Sequence, residues 1–151
     1  MKVEVGGAAV PGLSRREIAA FARRVLRACR TGSQPVRRPK GGRWRVRGRV
    51  ENPSHIAELS IAFVDDATMR ALNRKFRRKN KTTDVLTFPD EIVISLDQAR
   101  RQARHEKHSL ATEVRYLIAH GVLHALGYDH ETDQGEMNAL ELAVRQRVGL
   151  E

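Results

Sequence analysis

A chain of 151 residues is long enough to bury a core in one domain, and the whole of 1–151 is expected to form one. Lys and Arg number 28 against 18 Asp and Glu, a formal charge of +10 that points to a polyanionic partner. A single cysteine, Cys29, excludes an internal disulfide, and no apolar run approaches the roughly 18 residues of a membrane span. The first ten residues lack the apolar core of a signal peptide, so a cytoplasmic protein is expected.

Val3 and Val5 alternate with charged residues, the period of a half-buried strand. Pro11 and Gly12 break the chain, and Ser14 with Glu17 spells a capping box. Ile18, Phe21, Ala22, Val25 and Leu26 then recur at helical spacing, predicting an amphipathic helix that ends near Arg30, with Cys29 as a packed thiol. Residues 31–50 hold seven Arg or Lys and no acid, with glycines and prolines throughout, and read as a basic insert. Its second half, where Arg43, Arg45, Arg47 and Arg49 alternate with Trp44, Val46, Gly48 and Val50, is expected as an edge strand or hairpin arm. Either a solvated loop or RNA contact, with Trp44 on a base, accounts for it.

Leu59, Ile61, Phe63 and Val64 predict a strand, Asp65-Asp66 a helix cap, and Met69, Leu72 and Phe76 the buried side of that helix. The opposite side and the following loop carry Arg70, Arg74, Lys75, Arg77, Arg78, Lys79 and Lys81 without an acid, a pattern more typical of a polyanion site than of a solubilising surface. Residues 83–88 form an expected strand that Pro89 ends or confines to an edge, and Ile92, Val93 and Ile94 a short buried one. A polar surface helix follows over 95–106. His105 and His108 stand near its end, where positive side chains suit the helix dipole, and are not counted as ligands. Ser109 caps a central helix embedded by Val114, Leu117, Ile118, Val122 and Leu123. Asp133 and Glu136 open a terminal helix with Met137, Leu140, Val144 and Val148 inward. Strands and helices mix around one small sheet, hence an α+β (or α/β) layered fold.

On the central helix, His120 and His124 are one turn apart on one face and can share a metal. Gly127 suits a left-handed turn that delivers His130 as third ligand. Three imidazoles with an open fourth position are the ligand set of a catalytic zinc, although such sites accept other divalent ions. The spacing matches the metzincin protease framework. The Glu after the first His, the base of peptide hydrolysis, is here Gly121, which counts against a protease.

The stretch His120-Gly121-Val122-Leu123-His124-Ala125-Leu126-Gly127-Tyr128-Asp129-His130 resembles the H-G-x-L-H-L-x-G-Y-D-H signature of the bacterial YbeY endoribonucleases, or rRNA maturation factors. A second stretch agrees: Leu72-Asn73-Arg74-Lys75-Phe76-Arg77-Arg78-Lys79 followed by Thr83-Asp84-Val85-Leu86-Thr87-Phe88-Pro89 resembles L-N-x-x-Y-R-x-K and T-D-V-L-S-F-P, so the likeness runs from about Ala57 onward. The basic segment 31–50 lies outside it. Thr82, Thr87 and Ala125 are mild departures, and Asp90-Glu91 replaces the usual Gly-Asp, which leaves open which acid borders the site. The resemblance implies that His120, His124 and His130 bind one zinc and that Arg77 is functionally important. It further implies a single-strand-specific metallo-endoribonuclease that matures the 3′ end of 16S rRNA and takes part in ribosome quality control.

His120 and Arg77 are therefore the candidate catalytic residues, and Arg74, Arg77, Lys79 and Lys81 the candidate RNA contacts. Arg77, on a loop facing the metal, would hold phosphate oxygens. Asp129 is assigned to orienting a histidine. The partners expected are single-stranded rRNA and the small subunit or whole ribosome, with neither membrane nor DNA. A non-catalytic assembly factor with a structural zinc is the alternative.

Overall fold

In the computed structural model, the residues described are 2–30, 44–46, 49–51, 58–126 and 136–150. The central sheet has the order β1(Lys2–Gly7), β4(Glu58–Val64), β6(Glu91–Ser95), β5(Val85–Phe88). β1 and β6 both run parallel to β4, and β5 is antiparallel to β6, so the sheet is mixed and the fold α+β. A separate antiparallel pair joins β2(Trp44–Val46) to β3(Arg49–Glu51), the hairpin expected in the second half of the basic segment. The helices are α1(Arg15–Arg30), α2(Asp66–Arg77), α3(Leu96–His105), α4(Leu110–Ala125) and α5(Glu136–Arg147).

Strand alternation decides the layers. On β4, Leu59, Ile61 and Phe63 point into the main core, which α1, α4 and α5 complete with Ile18, Val25, Ile118, Leu123 and Val144. Val64 points the other way, with Leu86 and Val93, to a smaller core under Met69 of α2. β6 therefore buries Ile92, Val93 and Ile94 in succession, as a strand covered on both faces must. α2 and α4 consequently lie on opposite faces of the sheet.

The local chemistry agrees with the sequence at most helix starts. Ser14 and Glu17 exchange backbone and side-chain hydrogen bonds at 2.8 and 3.1 Å, closing the capping box of α1. Asp65, Ser95 and Ser109 each accept a backbone N–H at the start of α2, α3 and α4. Pro89 ends β5, which is an edge strand, as the missing donor requires. Gly7, at φ 82°, brings β1 so close to β4 that a Cβ would lie 2.1 Å from the Phe63 carbonyl oxygen.

Two expectations are corrected. Phe76 is 40% exposed rather than buried: it is not part of the small core and meets Phe88 edge to face, with centroids 5.1 Å apart. Arg77 is the last residue of α2 and not part of a loop. The loop begins at Arg78, whose left-handed φ of 55° ends the helix. Asn73, fully buried, gives its side-chain amide to the Lys81 carbonyl at 2.8 Å and so ties the basic loop back onto α2.

Candidate metal centre and its cavity

α4 is apolar on most sides because it touches α1, α3, α5 and the sheet, and its histidine row opens between α3 and α5. His120 and His124 stand one turn apart with their Nε2 atoms 3.0 Å from each other. Two Nε2 ligands on one tetrahedral zinc would be about 3.3 Å apart, so the pair fits a shared ion. His120 Nδ1 donates to Glu141 on α5, at 3.3 and 3.4 Å from the two carboxylate oxygens. That bond puts the proton on Nδ1 and leaves the Nε2 lone pair for a metal, the usual arrangement behind a ligating histidine. Burial opposes ionisation of Glu141, but hydrogen bonding and charge from His120, with Arg145 beside it, hold its carboxyl below the ordinary range. Arg145 donates to Glu141 Oε1 at 2.9 Å and lies over the Tyr116 ring.

His130, Gly127, Tyr128, Asp129 and Asp133 lie outside the described residues, as do residues 31–43 and the Trp44 side chain. Among the described residues no three His, Cys, Asp or Glu side chains converge on one point.

A cavity of about 480 Å³ is lined by His120 of the pair, but not by His124. Glu113, Tyr116, Leu117 and His120 line it from α4, and Glu141 and Arg145 from α5. Asp84, ahead of β5, and Gln102, Glu106 and His108, around the end of α3, close it. Four carboxylates against one guanidinium make this lining acidic in a protein of charge +10, a setting that favours a cation. The acids of that lining are Asp84, Glu106, Glu113 and Glu141, and neither Asp90 nor Glu91 is among them. His108 also has a side-chain partner on α4: its Nε2 lies 2.6 Å from Glu113 Oε2. His105 stays exposed at the end of α3.

The candidate RNA contacts are arranged differently. Arg74, Arg77, Lys79 and Lys81 are all exposed, and none lines the cavity, because α2 is on the far face of the sheet. The loop after them runs to Asp84 at the cavity wall. Glu141 was not singled out from sequence. The signal was present in its i, i+4 spacing to Arg145 within the apolar stripe of α5, a pair too polar to be filler.

Gly121 has a steric reason. A Cβ there would lie 2.9 Å from Ile92 Cγ2, so this position faces the sheet and not the histidines. No helix among the described residues is long and apolar enough to cross a membrane.

A family model described as Endoribonuclease YbeY matches residues 45–149. A protein of Nautilia profundicola named Endoribonuclease YbeY is 44% identical over 102 residues, covering 62% of this chain and 73% of its own. Its namesake in Solibacter usitatus is 45% identical over 100 residues, covering 62% and 68%. The one in Aquifex aeolicus is 43% identical over 107 residues, covering 64% and 71%. The fold also matches the solution structure of TM1509 from Thermotoga maritima, with a TM-score of 0.55 at 18% identity, over 97% of this chain and 89% of that one. The family match starts at residue 45, well before Ala57, and takes in β3 and all of β2 but Trp44, so the basic segment 31–50 is not wholly outside it. With two thirds of its length and the histidine helix inside the matched region, the chain belongs to the endoribonuclease YbeY family.

Proposed function

We propose that this protein is a zinc-dependent, single-strand-specific endoribonuclease of the cytoplasm that matures the 3′ end of 16S rRNA and takes part in ribosome quality control. The observation that carries this reading is the His120 and His124 pair, its Nε2 atoms turned together and its outer nitrogen held by Glu141, inside the family match. His120, His124 and His130 would hold the ion. When bound, zinc supplies a Lewis acid and an acidified water at neutral pH. Arg77 holds phosphate oxygens through its planar guanidinium, and Arg74, Lys79 and Lys81 grip the backbone of single-stranded RNA on the small subunit or the whole ribosome.

Purified protein is expected to hold one zinc per chain by metal analysis and to cut single-stranded RNA. Arg77→Ala and His120→Ala each lower the rate by at least about 100-fold, the scale of a lost transition-state donor. Cutting that persists in a metal-free preparation refutes the reading. One observation favours the alternative, an assembly factor with structural zinc: the cationic strip and the histidine pair sit on opposite faces of the sheet. RNA binding that survives both substitutions, with no cleavage by wild-type protein, selects it. A protease is disfavoured, because position 121 abuts Ile92 and has no room for the base that peptide hydrolysis needs.

A further inference from the structure

The cavity holds a second histidine and carboxylate pair that the metal reading does not use. His108 Nε2 lies 2.6 Å from Glu113 Oε2, and the two side chains are 26% and 5% exposed. The carboxylate is thus buried while the imidazole remains reachable. A carboxylate only accepts, so Nε2 carries the proton, and Nδ1 has no hydrogen-bond partner among the described residues. The His108 ring also stacks on Tyr116, with centroids 5.5 Å apart and planes at 24°. One ring nitrogen is therefore tied, the ring plane is set by a neighbour, and both residues line the cavity that His120 enters.

We propose that His108 is the general acid that protonates the leaving 5′-oxygen of the cut RNA strand, and that Glu113 is its positioning residue. This rests on the endoribonuclease reading. Expelling an alkoxide is difficult without a proton, whether water or the 2′-hydroxyl attacks. The attacking oxygen forms a bond to phosphorus, and the phosphorus to 5′-oxygen bond breaks with its electron pair going to oxygen. Nδ1 of the His108 imidazolium gives that oxygen a proton, leaving a neutral ring still bonded through Nε2–H to Glu113. The proton of the attacking oxygen passes to water, and solvent at the cavity mouth recharges His108.

His108 and Glu113 also flank the start of α4, where such a pair can simply fasten the helix end. A substrate with sulfur in place of the leaving 5′-oxygen separates the two roles, because a thiolate departs without a proton. Wild-type cutting of ordinary single-stranded RNA first tests the endoribonuclease reading by itself, and its absence overturns this proposal too. The sulfur is then placed at the cut position mapped with wild-type protein. His108→Gln is expected to slow cutting of the oxygen substrate by about 10²–10⁴-fold and to cut the sulfur substrate within about threefold of wild type. Glu113→Gln should show a smaller loss, likewise rescued by sulfur. Equal slowing on both substrates, with folding intact by circular dichroism, means a structural pair and overturns the proposal. Unchanged cutting of the oxygen substrate by His108→Gln overturns it as well.

Discussion

Two side chains show how close contacts set the chemistry at the residue scale. Glu141 is the acceptor that orients His120, so Glu141→Gln should weaken zinc binding by about 10- to 100-fold in a chelator competition while leaving the fold intact. Unaltered affinity would remove Glu141 from the centre. Gly121 reports on packing. Ala in a helix normally gains about 1 kcal/mol over Gly, but overpacking a dense core costs about 1–3 kcal/mol. Ile92 is fully buried and presents three carbons within 3.3 Å of the new Cβ, so the clash prevails. Gly121→Ala is expected to destabilise by about 1 kcal/mol in denaturant melts. A gain in stability would show that Ile92 yields. The Gly at this position was legible from sequence only as a missing base, since the sheet it faces is contributed by residues some thirty positions away.

At the scale of elements, α2 and α3 start beside each other and each helps hold the other. Asp66, in the first turn of α2, accepts from Ser95, the cap of α3, at 2.9 Å, and from Thr82 at 3.2 Å, and pairs with Arg101. Asp97, in the first turn of α3, accepts the Asp66 backbone N–H at 2.9 Å. Partial burial works against ionisation of Asp66, but Arg101 and Ser95, with Thr82, outweigh it and hold its carboxyl below the ordinary 3.8. A lowered folded value means stability that is present above the unfolded value and lost as pH falls through the folded one. Asp66→Asn is therefore expected to destabilise by about 1 kcal/mol at neutral pH, with the difference from wild type shrinking below about pH 4 in urea melts. A difference that stays constant down to pH 2 would show that charge is not involved. The Asp65-Asp66 cap was readable from spacing, whereas the link to α3 was not, because Asp66 and Arg101 meet only once β5 and β6 have folded between them.

For the whole molecule, a charge of +10 coexists with an acidic cavity, and the sheet lies between that cavity and the cationic strip of α2. If the strip at Arg74, Lys79 and Lys81 binds RNA, each neutralised phosphate releases counterions. Replacing all three by Ala should reduce the slope of log affinity against log salt by about 2, from roughly 0.7 per single-strand contact, in anisotropy titrations with a short RNA. An unchanged slope would put RNA on another surface, such as the β2 and β3 hairpin.

Periodicity and capping chemistry sufficed to read the helices, the buried run of β6, the edge position of β5 and the pairing of His120 with His124, because each depends on residues within a few positions of one another. The sheet order, the opposition of α2 and α4, the clamp from Glu141 and the cavity that His108 and Glu113 share with His120 and Glu141 depended on the tertiary fold. Those contacts join elements distant in sequence or turn on which face a neighbouring layer covers, and neither helical nor strand spacing specifies which layer a face will meet.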